Sequence, residues 1–368
     1  MRGVRRRRCR SAVLAAAVAL SLALAPMASA ARLIGPVEGS PGGYYVDTAV
    51  SPNGAFVYAA HGDEGQPRIS MVETATGRVA SQHSYPGWTT RKLRDLAVSP
   101  DGATVYATSF GQQGELLKLD ATTLDLINDV SVISTEPTGV VISPDGAEAY
   151  VSSPTGVTVV DTATMNQVGY IRTAGPVYGM AISQDGNRLF VSSRRERGSR
   201  TSILEIADTR TRDVVSTVDG PPSPPFDLGW RFDYFRESVA LSPDESLAYV
   251  AIDTTVLAYD VRFGTVTALD TAGYTTFDLA IHPGGDELYV VTDQGLRIVD
   301  AVTGSAEVIG ELGVRDAGTI AVTPSGQRAY VSTGYQGAIM EFALDHAPEF
   351  GDGHESAGSL DRIFTLGS

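Results

Sequence analysis

One phrase recurs seven times along this chain, and its spacing limits the fold more than any other property. The phrase is an aliphatic pair, a Ser-Pro-Asp-Gly-like turn, and a short run that reaches an aromatic residue. It appears as Ala49-Val50-Ser51-Pro52-Asn53-Gly54 before Tyr58, and as Ala97-Val98-Ser99-Pro100-Asp101-Gly102 before Tyr106. Val141-Ile142-Ser143-Pro144-Asp145-Gly146 precedes Tyr150, and Ala181-Ile182-Ser183-Gln184-Asp185-Gly186 precedes Phe190. The last three begin at Ala240, Ala280 and Ala321 and lead to Tyr249, Tyr289 and Tyr330. The turn positions fall at 51, 99, 143, 183, 242, 282 and 323, so about 40 residues is the unit and the excess marks insertions. A period of roughly 40 residues built from short β-type runs and turns specifies a propeller. Each unit also holds a segment ending in an acidic turn, such as Val157-Thr158-Val159-Val160-Asp161, and a further run such as Val168-Gly169-Tyr170-Ile171. The predicted fold is therefore all-β: a seven-bladed β-propeller of four-stranded antiparallel blades.

The columns of the repeat assign strands to places. Two positions before the turn residue stand Ala49, Ala97, Val141, Ala181, Ala240, Ala280 and Ala321; one position before it every residue is Val, Ile or Leu. Neighbouring strand residues point to opposite faces. One face is thus small and the other large, as expected where blades crowd around an axis, so this is the innermost strand. Four positions before the turn residue the column reads Asp47, Asp95, Gly139, Gly179, Ser238, Asp278 and Thr319, and its side chains are expected at the channel entrance. The seventh unit lacks an obvious fourth strand. Arg32-Leu33-Ile34 is favoured to supply it over Arg362-Ile363-Phe364-Thr365-Leu366, because its distance to Ser51 matches the other outer-to-inner connections.

The chain divides into three segments. Residues 1–30 read as a signal peptide: six arginines from Arg2 to Arg10, an apolar run too short to span a bilayer, and Ala28-Ser29-Ala30 as a cleavage site. The product is expected outside the cytoplasm. Residues 31–345 form the propeller, and 346–368 an acidic, Gly-rich tail, flexible or a final edge strand. The only cysteine, Cys9, leaves with the signal, so burial rather than disulfides must hold the mature chain. Removal of that segment takes away six arginines and no acid, moving the formal charge from −15 to −21. Such a surface repels phosphate backbones and anionic lipid, so neither nucleic acid nor membrane insertion is expected.

The pattern resembles the secreted YVTN-type, or YncE-like, propeller family, which sits near the lactonase-type propellers. Tyr289-Val290-Val291-Thr292, Tyr330-Val331-Ser332-Thr333 and Val159-Val160-Asp161-Thr162-Ala163-Thr164 carry the likeness. The resemblance implies seven blades, export and often a ligand. It transfers no catalytic residue.

Loops carry function on such scaffolds. The enlarged connections after units one and four hold both tryptophans of the chain, Trp88 and Trp230, with Arg91, Phe226, Arg231, Tyr234 and Arg236. These seven residues are the candidate ligand- or partner-binding set; the competing reading is a local cluster that pins a long loop. Asp47, Asp95 and Asp278 are candidate ligands for a hard divalent cation, or else accept backbone amides of neighbouring turns. Apart from such a cation no cofactor is expected. His61 and His83, placed in loops, are candidate proton carriers. The histidines show no zinc spacing, and no Gly-x-Ser-x-Gly elbow or phosphate loop occurs. Two functions stand side by side. The first is a non-catalytic binding or scaffold protein, expected as a monomer, for an unknown small molecule or extracellular protein. The second is a metal-assisted small-molecule hydrolase, lactonase-like, at the channel mouth.

Overall fold

The computed structural model describes residues 30–40, 45–61, 67–85, 92–111, 114–132, 136–195, 201–222, 238–269, 273–301, 306–308, 317–333 and 337–345. These residues make seven four-stranded antiparallel sheets. In blades one to six, four consecutive strands run from the innermost to the outermost. The inner strands are Tyr45–Val50, Lys92–Val98, Gly139–Ile142, Val177–Ile182, Ser238–Leu241, Thr276–Ile281 and Ala317–Val322. Each packs against the inner strands of both neighbours, so the ring closes. The seventh blade takes its outer strand from the other end of the chain: Ala30–Pro36 pairs antiparallel with Ile339–Asp345, with Arg32 opposite Ala343 and Leu33 opposite Phe342. The expected N-terminal closure is present. It covers an edge that would otherwise be open to other chains.

The core lies between blades, in seven separate clusters. The repeated aromatic of each blade enters the cluster shared with the next. Tyr58 packs with Leu93 and Val105, Tyr106 with Val140 and Ala149, and so on round to Tyr330 with Tyr45 and Val57. All seven aromatics are 3% exposed or less. The alanine column has a more local cause than crowding at the axis. Ala49 lies directly opposite Tyr58, Ala97 opposite Tyr106, Ala181 opposite Phe190 and Ala321 opposite Tyr330. Side chains that face each other across an antiparallel pair share one face. A small residue there gives the ring its room, and the aliphatic residue beside it points to the preceding interface. Val50 packs on the cluster between blades seven and one, and Val98 on that between one and two. Removing one such buried ring would cost about 3–5 kcal/mol.

The turns that end the inner strands of blades one to five are hydrogen-bonded in the same way, whereas in blade six the Gly284 amide donates to His282 Nδ1. Ser143 Oγ donates to Asp145 Oδ1 at 2.6 Å and accepts the Glu148 amide at 2.9 Å, while Asp145 Oδ1 also accepts the Ala147 amide. Blade one does this with Asn53 in place of aspartate. The turns also stack: a Cβ on Gly186 would lie 3.2 Å from Pro144 of the preceding blade, and its φ of 72° suits glycine. Blade four breaks the series with Gln184 for proline. The next turn then has Glu245 at the glycine position, at φ 56°, and the Gln184 amide donates to Glu245 Oε1. The amide that proline lacks is the one that Glu245 captures.

These turn carboxylates set a pH dependence. Hydrogen bonds from Ser183 and the Asn187 amide hold Asp185 down at about 2, and the equivalent donors of their own turns lower Asp101, Asp145 and Asp244. A depressed folded pKa contributes stability that is present above the unfolded value near 4 and is lost as pH falls through the folded one. The quadruple variant D101N/D145N/D185N/D244N is expected to keep the fold, as Asn53 does in blade one. Its urea midpoint should fall less than that of the wild type between pH 4 and pH 2. An equal fall in both proteins would place the acid sensitivity elsewhere.

Candidate functional site

All seven inner strands contribute to one cavity of 110 Å³ on the axis. Its wall contains Asp47, Asp95, Gly139, Gly179, Ser238, Asp278 and Thr319, one residue from each blade and the whole column singled out by the repeat. Thr138, Val140, Val141, Tyr178, Met180 and Val239 complete the wall. No described residue of this lining is Lys, Arg or His. Acid thus collects on blades one, two and six, and apolar surface on blades three to five.

The pairing register explains how these side chains reach the axis. In five blades it shifts just before this column, between Tyr45 and Asp47, Leu93 and Asp95, Val177 and Gly179, Thr276 and Asp278, and Ala317 and Ile320. A bulge bends its strand and re-aims the side chains beyond it. The bulge in blade four adds Tyr178, which faces the cavity and has the Arg194 guanidinium 5.2 Å from its ring centre. Strict alternation of period two does not show these shifts.

The carboxylates do a structural job here. In every blade the turn residue donates its amide across the inner hairpin, as Ser99 does to Thr104 and Ser183 to Arg188. Antiparallel pairs alternate between bonded and non-bonded. The residue three before the turn therefore points its amide out of the blade, towards the neighbour. Asp47 Oδ2 accepts that amide from Leu96 at 2.6 Å, and Asp95 Oδ2 accepts it from Val140 at 2.6 Å. Asp278 accepts two, from Leu279 and from Ile320, both at 2.8 Å. Ser238 Oγ donates to the Leu279 carbonyl at 3.3 Å, and the Thr48 and Thr319 hydroxyls meet at 3.1 Å. The acceptor reading of these aspartates thus matches their geometry, with an inner-strand amide in place of the expected turn amide. Among the described residues no group of three or more His, Cys, Asp or Glu converges to hold a metal ion.

The two candidate histidines lie in strands rather than in loops, and neither lines the cavity. His61 ends the second strand of blade one and is fully buried. Its Nε2 is 2.9 Å from Ser70 Oγ, and its ring lies 4.1 Å from that of Tyr45. It fills the column that holds Ser109, Ser153, Ser193, Thr292 and Thr333 in five other blades and Ile252 in blade five, all buried. Counting three residues on from each aromatic would have found it. His83 sits on the outer strand of blade one, 3.5 Å from Asp125 and 4.7 Å from the Tyr85 ring centre. Trp88, Arg91, Phe226, Trp230, Arg231, Tyr234 and Arg236 lie outside the described residues. The chain there joins the outer strands of blades one and four to the next inner strands, which start at Lys92 and Ser238.

A closed ring of seven blades around an axial cavity makes this protein a seven-bladed β-propeller. Over 127 residues it is 32% identical to the seven-bladed beta-propeller protein Rv1057 of Mycobacterium tuberculosis (strain ATCC 25618 / H37Rv). That match spans 33% of this chain and 32% of the relative, so about a third of the curated protein's length is covered. No family model matches the chain. Among solved structures, hydrazine synthase of Kuenenia stuttgartiensis superposes with a TM-score of 0.70 over 84% of this chain and 98% of that one, at 19% identity. That likeness is one of fold.

The inter-blade bonds can be tested directly. Asp95→Ala leaves the Val140 amide without its acceptor and is expected to cost about 1–3 kcal/mol. Asp95→Asn keeps a carbonyl oxygen there and should cost less than half as much. Urea unfolding of the two variants gives the comparison. Equal losses would mean that packing, not the amide bond, is what Asp95 supplies.

Proposed function

We propose that this chain is an exported, non-catalytic binding protein that takes a small ligand into the mouth of its axial channel. The observation that carries the reading is the makeup of the cavity wall. It has polar groups from several blades and an apolar sector, as ligand sites do. Its three carboxylates are committed to backbone amides, and neither candidate histidine is within it. The connections bearing Trp88 and Trp230 lead in sequence into the inner strands that start at Lys92 and Ser238, and their seven candidate residues belong to this proposal from the sequence alone. Export and membership of the YVTN-type propellers belong to the same proposal. They rest on the arginine-rich start, the apolar run, and the Tyr-Val segments at Tyr289 and Tyr330.

The test uses the full mature chain and a panel of small metabolites grouped as amines, neutral amides and sugars, carboxylic acids and lactones. A ligand at 100 times its Kd stabilises by about 2.7 kcal/mol, enough to move a thermal transition. At least one group is expected to raise the transition of the wild type and not that of Ser238→Phe, which blocks the cavity. No shift with any group, or a shift that the blocked variant keeps, overturns channel binding. Turnover of the lactones would instead favour the hydrolase.

A further inference from the structure

We infer that the channel wall across blades three to five is a subsite for the carbonyl oxygen of an uncharged ligand, with the main-chain N–H groups of Met180 and Val239 as its donors. The inference rests on the channel-binding reading and deepens it. Its basis is a gap in the pattern of inter-blade bonds. The outward amide three before the turn is accepted by the preceding blade's side chain at Leu96, Val140 and Ile320, and by Asp278 of its own blade at Leu279. Thr48 of blade one, which does not line the cavity, has its hydroxyl rather than its amide bonded to Thr319. The equivalent amides of blades four and five belong to Met180 and Val239. The preceding blades offer Gly139 and Gly179 at the acceptor position, and glycine has no side chain to give. Among the described residues no side-chain oxygen accepts from either amide.

Both residues line the cavity, so these two donors face the space that a ligand would enter. The register fixes their direction: Met180 is opposite Val191 and Val239 opposite Val250, the same non-bonded pairing that Leu96 makes with Ala107. Around them the wall is apolar and aromatic, with Val140, Val141 and Tyr178. Asp95 and Asp278 flank this sector on blades two and six, and Asp47 lies on blade one. Donors among apolar side chains suit a neutral amide or ketone with a hydrocarbon substituent, and the neighbouring carboxylates repel an anion of the same shape. A side chain on Gly139 is a close fit: its Cβ would stand 3.1 Å from Ser152 Oγ and 3.2 Å from Asp95 Oδ2, so these two side-chain ends must give by a few tenths of an ångström. The preceding pair of blades already accommodates aspartate after aspartate, Asp47 then Asp95.

The experiment tracks the backbone amides by 15N NMR on the full mature chain, with N-tert-butylacetamide, pivalate and tert-butylammonium as probes. The amide probe is expected to shift the Met180 and Val239 N–H resonances downfield and saturably, leaving those of Leu96, Val140 and Ile320 in place. Pivalate should shift neither. In Gly139→Asp the new carboxylate is expected to take the Met180 amide, abolishing its response while the far-UV spectrum stays unchanged. If the amide probe moves neither resonance in the wild type, or tert-butylammonium or pivalate moves them equally, the subsite is overturned. Since the wild-type titration needs no variant, a misfolded Gly139→Asp does not rescue the inference. A metabolite that binds the channel without touching these two resonances sinks the subsite and leaves channel binding standing; binding by no compound at all sinks both.

Discussion

An antiparallel sheet leaves half the backbone groups of its edge strand unpaired, and this fold turns seven such edges towards one axis. Water or a side chain must meet those groups, because an unsatisfied buried amide is costly. The molecule meets part of that demand with the residue four before the turn, reaching across to the next inner strand in four blades. Asp47, Asp95 and Asp278 do so as carboxylates and Ser238 as a hydroxyl, while Thr319 meets the Thr48 hydroxyl. Charge on the acceptor makes these bonds the stronger kind. The same residues therefore tie blade to blade and form the surface of the channel.

The apolar part of each interface is set two residues further along the same strand. There the alanine lies opposite the aromatic, and the next residue, an aliphatic, faces backwards into the previous cluster. Packing at these positions and bonding at the channel are separated by strand geometry alone. Several departures from the repeat fall in one sector, besides His282 and Gly284 in the turn of blade six. Gln184 and Glu245 replace the proline and glycine of adjacent turns, Gly139 and Gly179 leave two amides without a neighbour's side chain, and the longest connection comes after Pro222. A chain that agrees with its own pattern in most blades and abandons it in adjoining ones points to a local demand other than stability.

Much of this is legible without coordinates. The turn phrase counts the blades, the Ala-aliphatic pair marks the inner strand, and the column from Asp47 to Thr319 names the cavity wall, because each depends on period and parity. Three features are not. Register shifts at Tyr45–Asp47 and its equivalents add a residue without changing composition, so no pattern assigns the added Tyr178 to the cavity. The partner of each aspartate lies 42 to 49 residues away on another sheet, and no local pattern encodes it. His61 reads as a loop residue from its polar type, although its column holds buried serine or threonine in five other blades and Ile252 in the remaining one. A polar side chain at a strand end is ambiguous unless the whole column is consulted.

The separation of core from channel bears on which positions of the repeat can vary. The aromatic column is 3% exposed or less, and the small residues facing it leave room for the rings and for little else, so few substitutions there are tolerated. The channel column is held by a few hydrogen bonds rather than by close packing, and this chain already uses four different residue types in it. An exchange at one of these seven positions alters a donor or acceptor facing the axis at a cost of about 1–3 kcal/mol. A domain with about 5–15 kcal/mol of stability survives one such change but not many at once. The glycines of blades three and four are then tolerable because the acidic bonds of blades one, two and six remain, and a site can open in one sector only while the others hold the ring.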